Sequence, residues 1–142
     1  MYDDSNIFAK IIRGEMPAFK VFEDERAVAF MDAMPQSDGH TLVVPKARAR
    51  NFFDIEPAAL ADLIKATQHV ARGVQKAFNP GGMRIVQFNE SVAGQTVFHI
   101  HLHLLGGSLA DKQIVFPLDV LGDRLVHFIA GDLIGTAMNN TR

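Results

Sequence analysis

The chain has 142 residues, 48% of them hydrophobic and 21% charged, and carries a net charge of −2 at pH 7, which suits one compact domain and excludes a disordered chain. The mixed charge offers no basic surface for nucleic acid, and no apolar run reaches the roughly 18 residues of a membrane span. With no cysteine and no signal-peptide pattern at the start, we expect a cytoplasmic protein without disulfides or Cys-ligated zinc.

A short helix and three strands are the first elements that the sequence predicts. Apolar residues at helical spacing between Ile7 and Ile12 follow Ser5, a residue suited to the N-cap, and the helix is expected to end at Gly14. Residues 21–31 contain two apolar runs separated by the charged stretch "EDER", which predicts a hairpin of two strands. After the turn "MPQSDG", residues 40–46 ("HTLVVPK") predict the third strand.

A long helix and two further strands follow. Apolar residues recur every three or four positions from Pro57 to Phe78, and "NPGG" ends this helix. "MRIVQFNE" and "VFHIHLHLLGG" predict two strands joined by "SVAGQT". The order of elements predicts an α+β fold, in which a five-stranded antiparallel sheet packs with two main helices. Residues 1–107 are predicted to form this core. Residues 108–142 are predicted to be a C-terminal extension with a helix near Pro117, packed on the core or on a second subunit.

Three of the six histidines of the chain, His99, His101 and His103, lie within five residues. Alternate residues of a strand point to the same face, so the three imidazoles would share one face and Ile100 and Leu102 the other. Such a row could be a solvated strand face, a metal site or a catalytic site. In a strand the outer two histidines would lie about 13 Å apart, so one metal ion could hardly bind all three, although a residue such as His40 could complete a pair.

Chemistry on a phosphate would use the whole row. A central imidazole can attack phosphorus to form a covalent phosphoramidate, while its neighbours orient it, transfer protons and neutralise the phosphoryl oxygens. The preceding "AGQT" supplies donors for those oxygens, namely backbone N–H groups near Gly94, the amide of Gln95 and the hydroxyl of Thr96.

The stretch "HIHLHLL", residues 99–105, resembles the defining motif of the histidine triad (HIT) superfamily of nucleotide hydrolases and transferases. "NIFAKIIRGEMP", "VFEDERAVAFMD", "GHTLVVPKARARNF" and "FNESVAGQTVFHIHLHLLGG" also resemble segments of that family, in its order, and cover roughly residues 5–107. The resemblance implies a purine nucleotide as substrate, a covalent nucleotidyl-histidine intermediate and a homodimer. No metal or other cofactor is expected, because the imidazoles and backbone donors would supply the charge stabilisation.

The resemblance also implies a role for individual positions. His101 matches the nucleophile, and the backbone carbonyl of His99 is expected to accept a hydrogen bond from its other ring nitrogen. His103 matches the donor to the α-phosphate, His40 a fourth histidine beside the triad, and Asp32 the carboxylate that binds the ribose hydroxyls. The other substrate-binding residues implied are Ala33 next to Asp32, Phe8, Met16, Phe30 and Met31 at the purine, and Asn89, Gly94, Gln95 and Thr96 on the phosphate side.

Taken one at a time, several of these residues allow a structural interpretation as well. Asp32 could be a turn residue before Met34 and Pro35, and Asn89 could shape a loop. Phe8, Met16 and Phe30 could each be core residues. The remaining histidines, His69 and His127, are interpreted as surface or packing residues.

Two branches of the superfamily fit the motif differently. Asn89 and the "LLGG" after the triad resemble the Hint branch, which cleaves the P–N bond of purine nucleoside phosphoramidates such as adenylated lysine. The Fhit branch cleaves dinucleoside polyphosphates. It typically has Gln where this chain has Asn89, and a Pro-Arg pair where this chain has Gly106 and Gly107. We therefore predict a phosphoramidase acting on substrates of the AMP-lysine or AMP-NH2 type. The alternatives are a dinucleoside polyphosphate hydrolase, a purine-nucleotide-binding protein with little catalysis, and a metal-dependent hydrolase.

Overall fold

The computed structural model describes residues 1–107, which form the predicted α+β fold around one five-stranded antiparallel sheet. Along the chain the elements are α1 (Ile7–Ile12), β1 (Lys20–Glu23), β2 (Ala27–Met31), β3 (Thr41–Pro45), α2 (Pro57–Phe78), β4 (Met83–Val86), a 3-10 turn (Ser91–Ala93) and β5 (Leu102–Gly106). Within residues 1–107 no helix is long and apolar enough to cross a membrane. The predicted tail helix and His127 lie outside the described residues, and the division at residue 107 stays a prediction.

Local features explain where the two helices begin and end. The cap of α1 is Asn6 and not the predicted Ser5, because the Asn6 side chain accepts a hydrogen bond from the Ala9 N–H at 2.9 Å and so satisfies a donor of the first turn. The N–H of Ser5 instead binds the Asp3 side chain. The helix α2 has the predicted bounds and ends at Asn79, whose φ of 46° is the left-handed conformation that closes many helices.

The sheet has the strand order β1-β2-β3-β5-β4, and its two faces bury different clusters. Residues paired across neighbouring strands share a face, so Phe30, Leu42 and His103 lie side by side on one face. That face is covered by α1, in a cluster that comprises Phe8, Ile11, Val28, Phe30, Leu42 and Val44. The helix α2 covers the opposite face, where the core includes Leu63, Val70, Val74, Val43, Ile100 and Leu104.

The last strand is shorter than its sequence pattern predicts. The strand β5 begins at Leu102; residues 97–99 form bends, and residues 97–101 make no ladder. The N–H of Ile100 donates to the carbonyl of Ala49, in the loop after β3. The expectation that all three imidazoles share one strand face is therefore wrong, since His99 and His101 precede the strand and only 1% and 5% of their surface is exposed. Its other half is confirmed, because Ile100 and Leu102 pack in the core under α2.

Candidate active site

Two of the three triad rings lie together on the face of the sheet that α1 covers. The rings of His101 and His103 have centroids 4.8 Å apart in an edge-to-face arrangement. The ring of Phe8, from α1, also meets the His101 ring at 4.8 Å. The ring of His99 instead contacts the ring of Tyr2, at 5.5 Å. The triad is thus a pair of adjacent imidazoles and a third ring that packs against the N-terminal segment.

The ring of His101 is oriented by the backbone two residues before it. Its Nδ1 lies 2.7 Å from the carbonyl oxygen of His99, which is the hydrogen bond that the resemblance implies. A carbonyl only accepts, so Nδ1 carries the proton of the neutral ring and Nε2 keeps a lone pair. Burial lowers the pKa of His101, against smaller opposing effects of the His99 carbonyl and Asp32. At neutral pH its Nε2 is therefore available to attack an electrophile.

Both ring nitrogens of His99 have partners far away in the sequence. Its Nε2–H donates to the carbonyl oxygen of Pro45 at 2.7 Å, and its Nδ1 accepts from the hydroxyl of Tyr2. That hydroxyl also accepts from the side-chain amide of Asn6 at 3.0 Å. Burial lowers the pKa of His99 to about 4, so the ring stays neutral and fixes the segment whose carbonyl orients His101. No pattern in the sequence indicated this role of Tyr2.

His40 and His103 form a second pair with defined protonation. The Gln36 N–H donates to Nδ1 of His40 at 3.1 Å, so the neutral ring of His40 carries its proton on Nε2. This Nε2–H lies 3.0 Å from Nδ1 of His103 and 3.3 Å from Oδ2 of Asp32. Burial lowers the pKa of both histidines to about 4. His103 therefore accepts at Nδ1, and its own proton is on Nε2, where it can donate to a bound group.

Asp32 fits both interpretations that its sequence position allows. One carboxylate oxygen accepts from the Met34 N–H at 2.9 Å, as in a turn, and the other lies near His40. Its side chain is 19% exposed, and burial raises its pKa, although the Met34 N–H lowers it. A partly exposed carboxylate beside the triad can accept hydrogen bonds from hydroxyl groups of a ligand.

Within residues 1–107, Asp32, His40 and His103 also form a cluster that could hold a metal ion. Asp32, His40 and His103 each offer one ligand atom, and these atoms lie within 4.8 Å of one another. A carboxylate with two imidazoles is a donor set that zinc accepts. However, Nε2 of His40 carries the proton that joins it to His103, so a metal ion would have to displace that proton.

Asn89 lies in the loop after β4, and its side chain is held through its oxygen. Oδ1 accepts from the Phe52 N–H at 2.9 Å and from the side-chain amide of Gln87 at 3.0 Å. The NH2 group remains as a donor for a ligand. Thr96, on the same loop, is exposed, and within residues 1–107 its hydroxyl has no hydrogen-bond partner.

Two other residues predicted to bind phosphate have different contacts in the structure. Gln95 is 2% exposed, and its side chain accepts from the Glu90 N–H at 2.8 Å and donates to the carbonyls of Arg50 and Val97 at 2.7 and 3.0 Å. The Gly94 N–H donates to the Ser91 carbonyl at 3.0 Å. Since these groups already have partners within the protein, Gln95 shapes the loop and the Gly94 N–H is not a ready phosphate donor.

The two phenylalanines predicted at the purine are buried together. Phe8 and Phe30 are 6% and 4% exposed, and their rings meet edge to face with centroids 5.4 Å apart. They belong to the cluster under α1, which agrees with the structural interpretation of both residues. Because Phe8 also touches His101, this cluster forms one wall beside the triad.

Met31 does not share that wall, contrary to the expectation from the resemblance. Its side chain packs in the cluster under α2, because successive residues of β2 point to opposite faces of the sheet. The other two predicted contacts are accessible: Met16, after α1, is 39% exposed, and Ala33, next to Asp32, is exposed.

The chain matches a known domain family over most of its described part. The HIT domain model matches residues 13–109. An uncharacterized HIT-like protein of Methanocaldococcus jannaschii is 41% identical over 109 residues, which cover 77% of this chain and 84% of that protein.

Solved structures with the same fold extend the comparison. A Hit-like protein from Bartonella henselae, described as involved in cell-cycle regulation, has a TM-score of 0.86 and 40% identity, covering 96% of this chain and 99% of the other. A hypothetical histidine triad nucleotide-binding protein from Sulfolobus tokodaii has a TM-score of 0.83 and 29% identity, covering 95% and 93%.

Proposed function

The chain belongs to the HIT domain family, whose model matches residues 13–109, and from this premise we propose that it is a nucleotide hydrolase of the histidine triad type. The observation that carries the proposal is the pair of adjacent neutral imidazoles with opposite protonation at Nε2. His101 has a lone pair there, because its Nδ1–H is bound to the His99 carbonyl. His103 has a proton there, because its Nδ1 accepts from His40. A nucleophile thus stands beside a hydrogen-bond donor, as attack on a phosphoryl group requires.

The proposed reaction has two steps. Nε2 of His101 attacks the α-phosphorus, a bond forms between them, and the bond from phosphorus to the leaving nitrogen breaks as that nitrogen takes up a proton from water and departs as an amine. Water then attacks the same phosphorus, the bond from phosphorus to Nε2 breaks, and the nucleoside monophosphate leaves with the ring neutral again. The proton that this water loses neutralises the hydroxide left by the first step. In the intermediate the His101 ring carries positive charge. Its Nδ1–H bond to the His99 carbonyl, at 2.7 Å, becomes charge-assisted and stabilises it.

We favour a purine nucleoside phosphoramidate of the AMP-lysine or AMP-NH2 type, because the candidate phosphate donors identified among residues 1–107 are neutral. They are the Nε2–H of His103, the NH2 group of Asn89 and the hydroxyl of Thr96. Arg50, in the loop after β3, is held by the carboxylate of Glu90 at 2.7 and 2.9 Å. Neutral donors suit a phosphate with one negative charge, whereas a polyphosphate gains most from cationic partners. Hydrolysis of dinucleoside polyphosphates is therefore the second candidate.

The nucleophile can be tested by trapping the intermediate. Wild-type protein incubated with an excess of adenosine phosphoramidate labelled in the adenosine is expected to acquire the label on His101. His101→Asn should remain unlabelled and lose at least about 1,000-fold in kcat, as variants lacking a nucleophile do. His69→Asn, on the exposed side of α2, is the matched control and should retain turnover. Turnover of His101→Asn near that of wild type would contradict the mechanism.

The same experiment separates catalysis from simple binding. A purine-nucleotide-binding protein with little catalysis would retain AMP in equilibrium dialysis but would never become covalently labelled. A panel of AMP-lysine, AMP-NH2 and diadenosine polyphosphates then ranks the two hydrolase candidates by kcat/KM. We expect the phosphoramidates to rank higher.

For the nucleoside, we assign Asp32 to the ribose hydroxyls. Support comes from its partly exposed carboxylate beside His103. A hydrogen bond to a charged group is worth enough to change kcat/KM by about 10- to 100-fold. With the wild-type protein, a substrate without the 2′ and 3′ hydroxyls should have a kcat/KM lower than that of the parent substrate by this factor. With Asp32→Asn, the two substrates should have equal kcat/KM values. Equal discrimination by both proteins would contradict the assignment.

We also propose that the chain forms a homodimer along β4 and α2. The strand β4 is an edge of the sheet, and Ile85 on β4 and Ile64 on α2 are 52% and 50% exposed. A groove between them is lined by Ala71 and Met83. An exposed strand edge beside apolar side chains is a surface that a second copy can cover. Light scattering at micromolar concentration should give the mass of a dimer, and Ile85→Glu should give that of a monomer.

A further inference from the structure

Glu90, which directly follows Asn89, has a backbone conformation that is unusual for a residue with a side chain. Its φ is 70° and its ψ is 157°. Among residues 1–107 the other non-glycine with positive φ is Asn79, which lies in the left-handed helical region that asparagine tolerates. The combination at Glu90 is essentially a glycine conformation. Such strain persists only where surrounding contacts hold it.

Those contacts come from every polar group of Glu90. Its carboxylate accepts from Nε and Nη2 of Arg50 at 2.9 and 2.7 Å, and from the side-chain amide of Asn51 at 2.7 Å. Its N–H donates to the Gln95 side chain at 2.8 Å. Its carbonyl accepts from the N–H groups of Ala93 and Gln95 at 3.0 and 3.1 Å. Two planar groups, guanidinium and carboxylate, thus meet in the bidentate geometry that fixes both.

These bonds join two segments that lie 40 residues apart in the chain. We call the group formed by Arg50, Asn51, Glu90 and Gln95 the Glu90 latch. Within it the Gln95 amide donates to the Arg50 carbonyl at 2.7 Å. The guanidinium of Arg50 also lies 4.0 Å from the centre of the Phe98 ring, immediately before the triad. The latch therefore connects the loop after β3 with the segment that enters the triad.

We propose that Glu90 is a positioning residue for the reaction and acts through Asn89. The latch fixes the backbone on the C-terminal side of Asn89, while the Phe52 N–H fixes its side-chain oxygen at 2.9 Å. Together they hold the Asn89 NH2 group at the phosphate. Glu90 itself touches no reacting atom. This inference rests on the proposed function, because it assumes that Asn89 donates to the phosphate of the substrate.

The first test compares Glu90→Ala with a matched control. Arg13 and Glu15, at the C-terminal end of α1, form a similar bidentate pair at 2.8 and 3.0 Å. Displacing a substrate contact by about 1 Å can cost on the order of 100-fold in rate. Glu90→Ala should therefore lose on that order in kcat on adenosine phosphoramidate, with KM changed less, whereas Glu15→Ala should keep both. Wild-type kcat in Glu90→Ala would overturn the proposal.

A double-mutant cycle with Asn89→Ala distinguishes positioning from general destabilisation. If Glu90 acts through Asn89, adding Glu90→Ala to Asn89→Ala should cost less than about 3-fold more in kcat, because coupled residues are not additive. Fully additive losses would overturn the proposal. Glu90→Gly relieves the backbone strain but removes the carboxylate. It should lose as much activity as Glu90→Ala, and wild-type activity in this variant would show that the carboxylate has no such role.

A readout independent of turnover keeps this inference separate from the proposed function. If the wild-type protein hydrolyses neither phosphoramidates nor diadenosine polyphosphates, the proposed function fails, and the latch is then tested by AMP affinity in equilibrium dialysis. Glu90→Ala should weaken AMP binding at least about 10-fold, as loss of a phosphate contact does, and Glu15→Ala should not. Unchanged affinity in Glu90→Ala would overturn the role of the latch.

Discussion

Lowering the pH from 8 to 5 should destabilise the fold, because two buried histidines are kept neutral in it. Burial lowers the pKa of His40 and of His99 to about 4, from 6.5. Below pH 6.5 the unfolded chain therefore binds protons that the folded chain does not, and the free energy of unfolding falls as the pH falls. The decline from these two groups ends near pH 4, where the folded protein binds the protons as well.

The size of the effect follows from the difference between the two pKa values, which is about 2.5 for each histidine. One pKa unit corresponds to about 1.36 kcal/mol, so each histidine contributes about 3 kcal/mol when the effect is complete and about 2 kcal/mol at pH 5. The two together remove about 4 kcal/mol between pH 8 and pH 5, a large share of the roughly 5–15 kcal/mol typical of a domain.

Urea unfolding followed by circular dichroism at several pH values measures this dependence. The pKa values of His101 and His103 are lowered as well, so these histidines add to the pH dependence of the wild-type protein. The quantity to compare is therefore the difference in slope between each variant and wild type. Near pH 5.5, His40→Asn and His99→Gln should each reduce the slope of unfolding free energy against pH by about one proton, or 1.36 kcal/mol per pH unit. Asn6→Ala removes the cap of α1 and should lower stability by about 1 kcal/mol without changing the slope. Unchanged slopes in both histidine variants would refute the reasoning.

Three further predictions concern the site. Burial lowers the pKa of His101, so kcat/KM of the wild-type enzyme should be constant from about pH 7 to 8.5 and should fall at lower pH with an apparent pKa below 6.5. A pH profile of kcat/KM measures this, and a value that still rises through pH 7.5 would contradict a neutral nucleophile. Dialysis against EDTA should leave turnover unchanged, because imidazole and amide donors stabilise the phosphoryl charge, and activity lost to EDTA and restored by zinc would favour a metal-dependent hydrolase. Gln95→Leu leaves three backbone groups without their partner, two in its own loop and the Arg50 carbonyl in the loop after β3. It should lower the free energy of unfolding by about 2–4 kcal/mol, measured by urea unfolding at pH 8; a loss below about 0.5 kcal/mol would mean that water replaces the amide.

Elements defined by local chemistry could be predicted from the sequence. The helix α2 has the predicted bounds because apolar periodicity, an early proline and a left-handed asparagine all act within a few residues. The start of β5 could not be predicted in this way. The alternation of histidines continues upstream of Leu102, but the partners of His99 lie 54 and 97 positions away, and no local pattern records them.

For the site, the sequence indicated which residues take part better than it indicated what those residues contact. The resemblance indicated Gln95 as a phosphate contact, but an amide both donates and accepts, and backbone groups of its own loop and of Arg50 use both capacities. The placement of Met31 could have been corrected from the sequence, because Phe30 and Met31 are successive strand residues and cannot share a face. Glu90 gave no signal at all, since its backbone conformation depends on Arg50 and Asn51.

The hydrogen bond between Tyr2 and His99 has a consequence for the order of folding. It closes a loop of 97 positions, and the pairing of β3 with β5 is also distant in sequence. Contacts between distant parts of a chain form slowly, because the entropy of closing the loop is lost before the contact is gained. During refolding from urea, the helical signal of α2 should therefore recover first. Protection of the triad imidazoles from solvent, and with it the orientation of the His101 ring, should return only with the final phase.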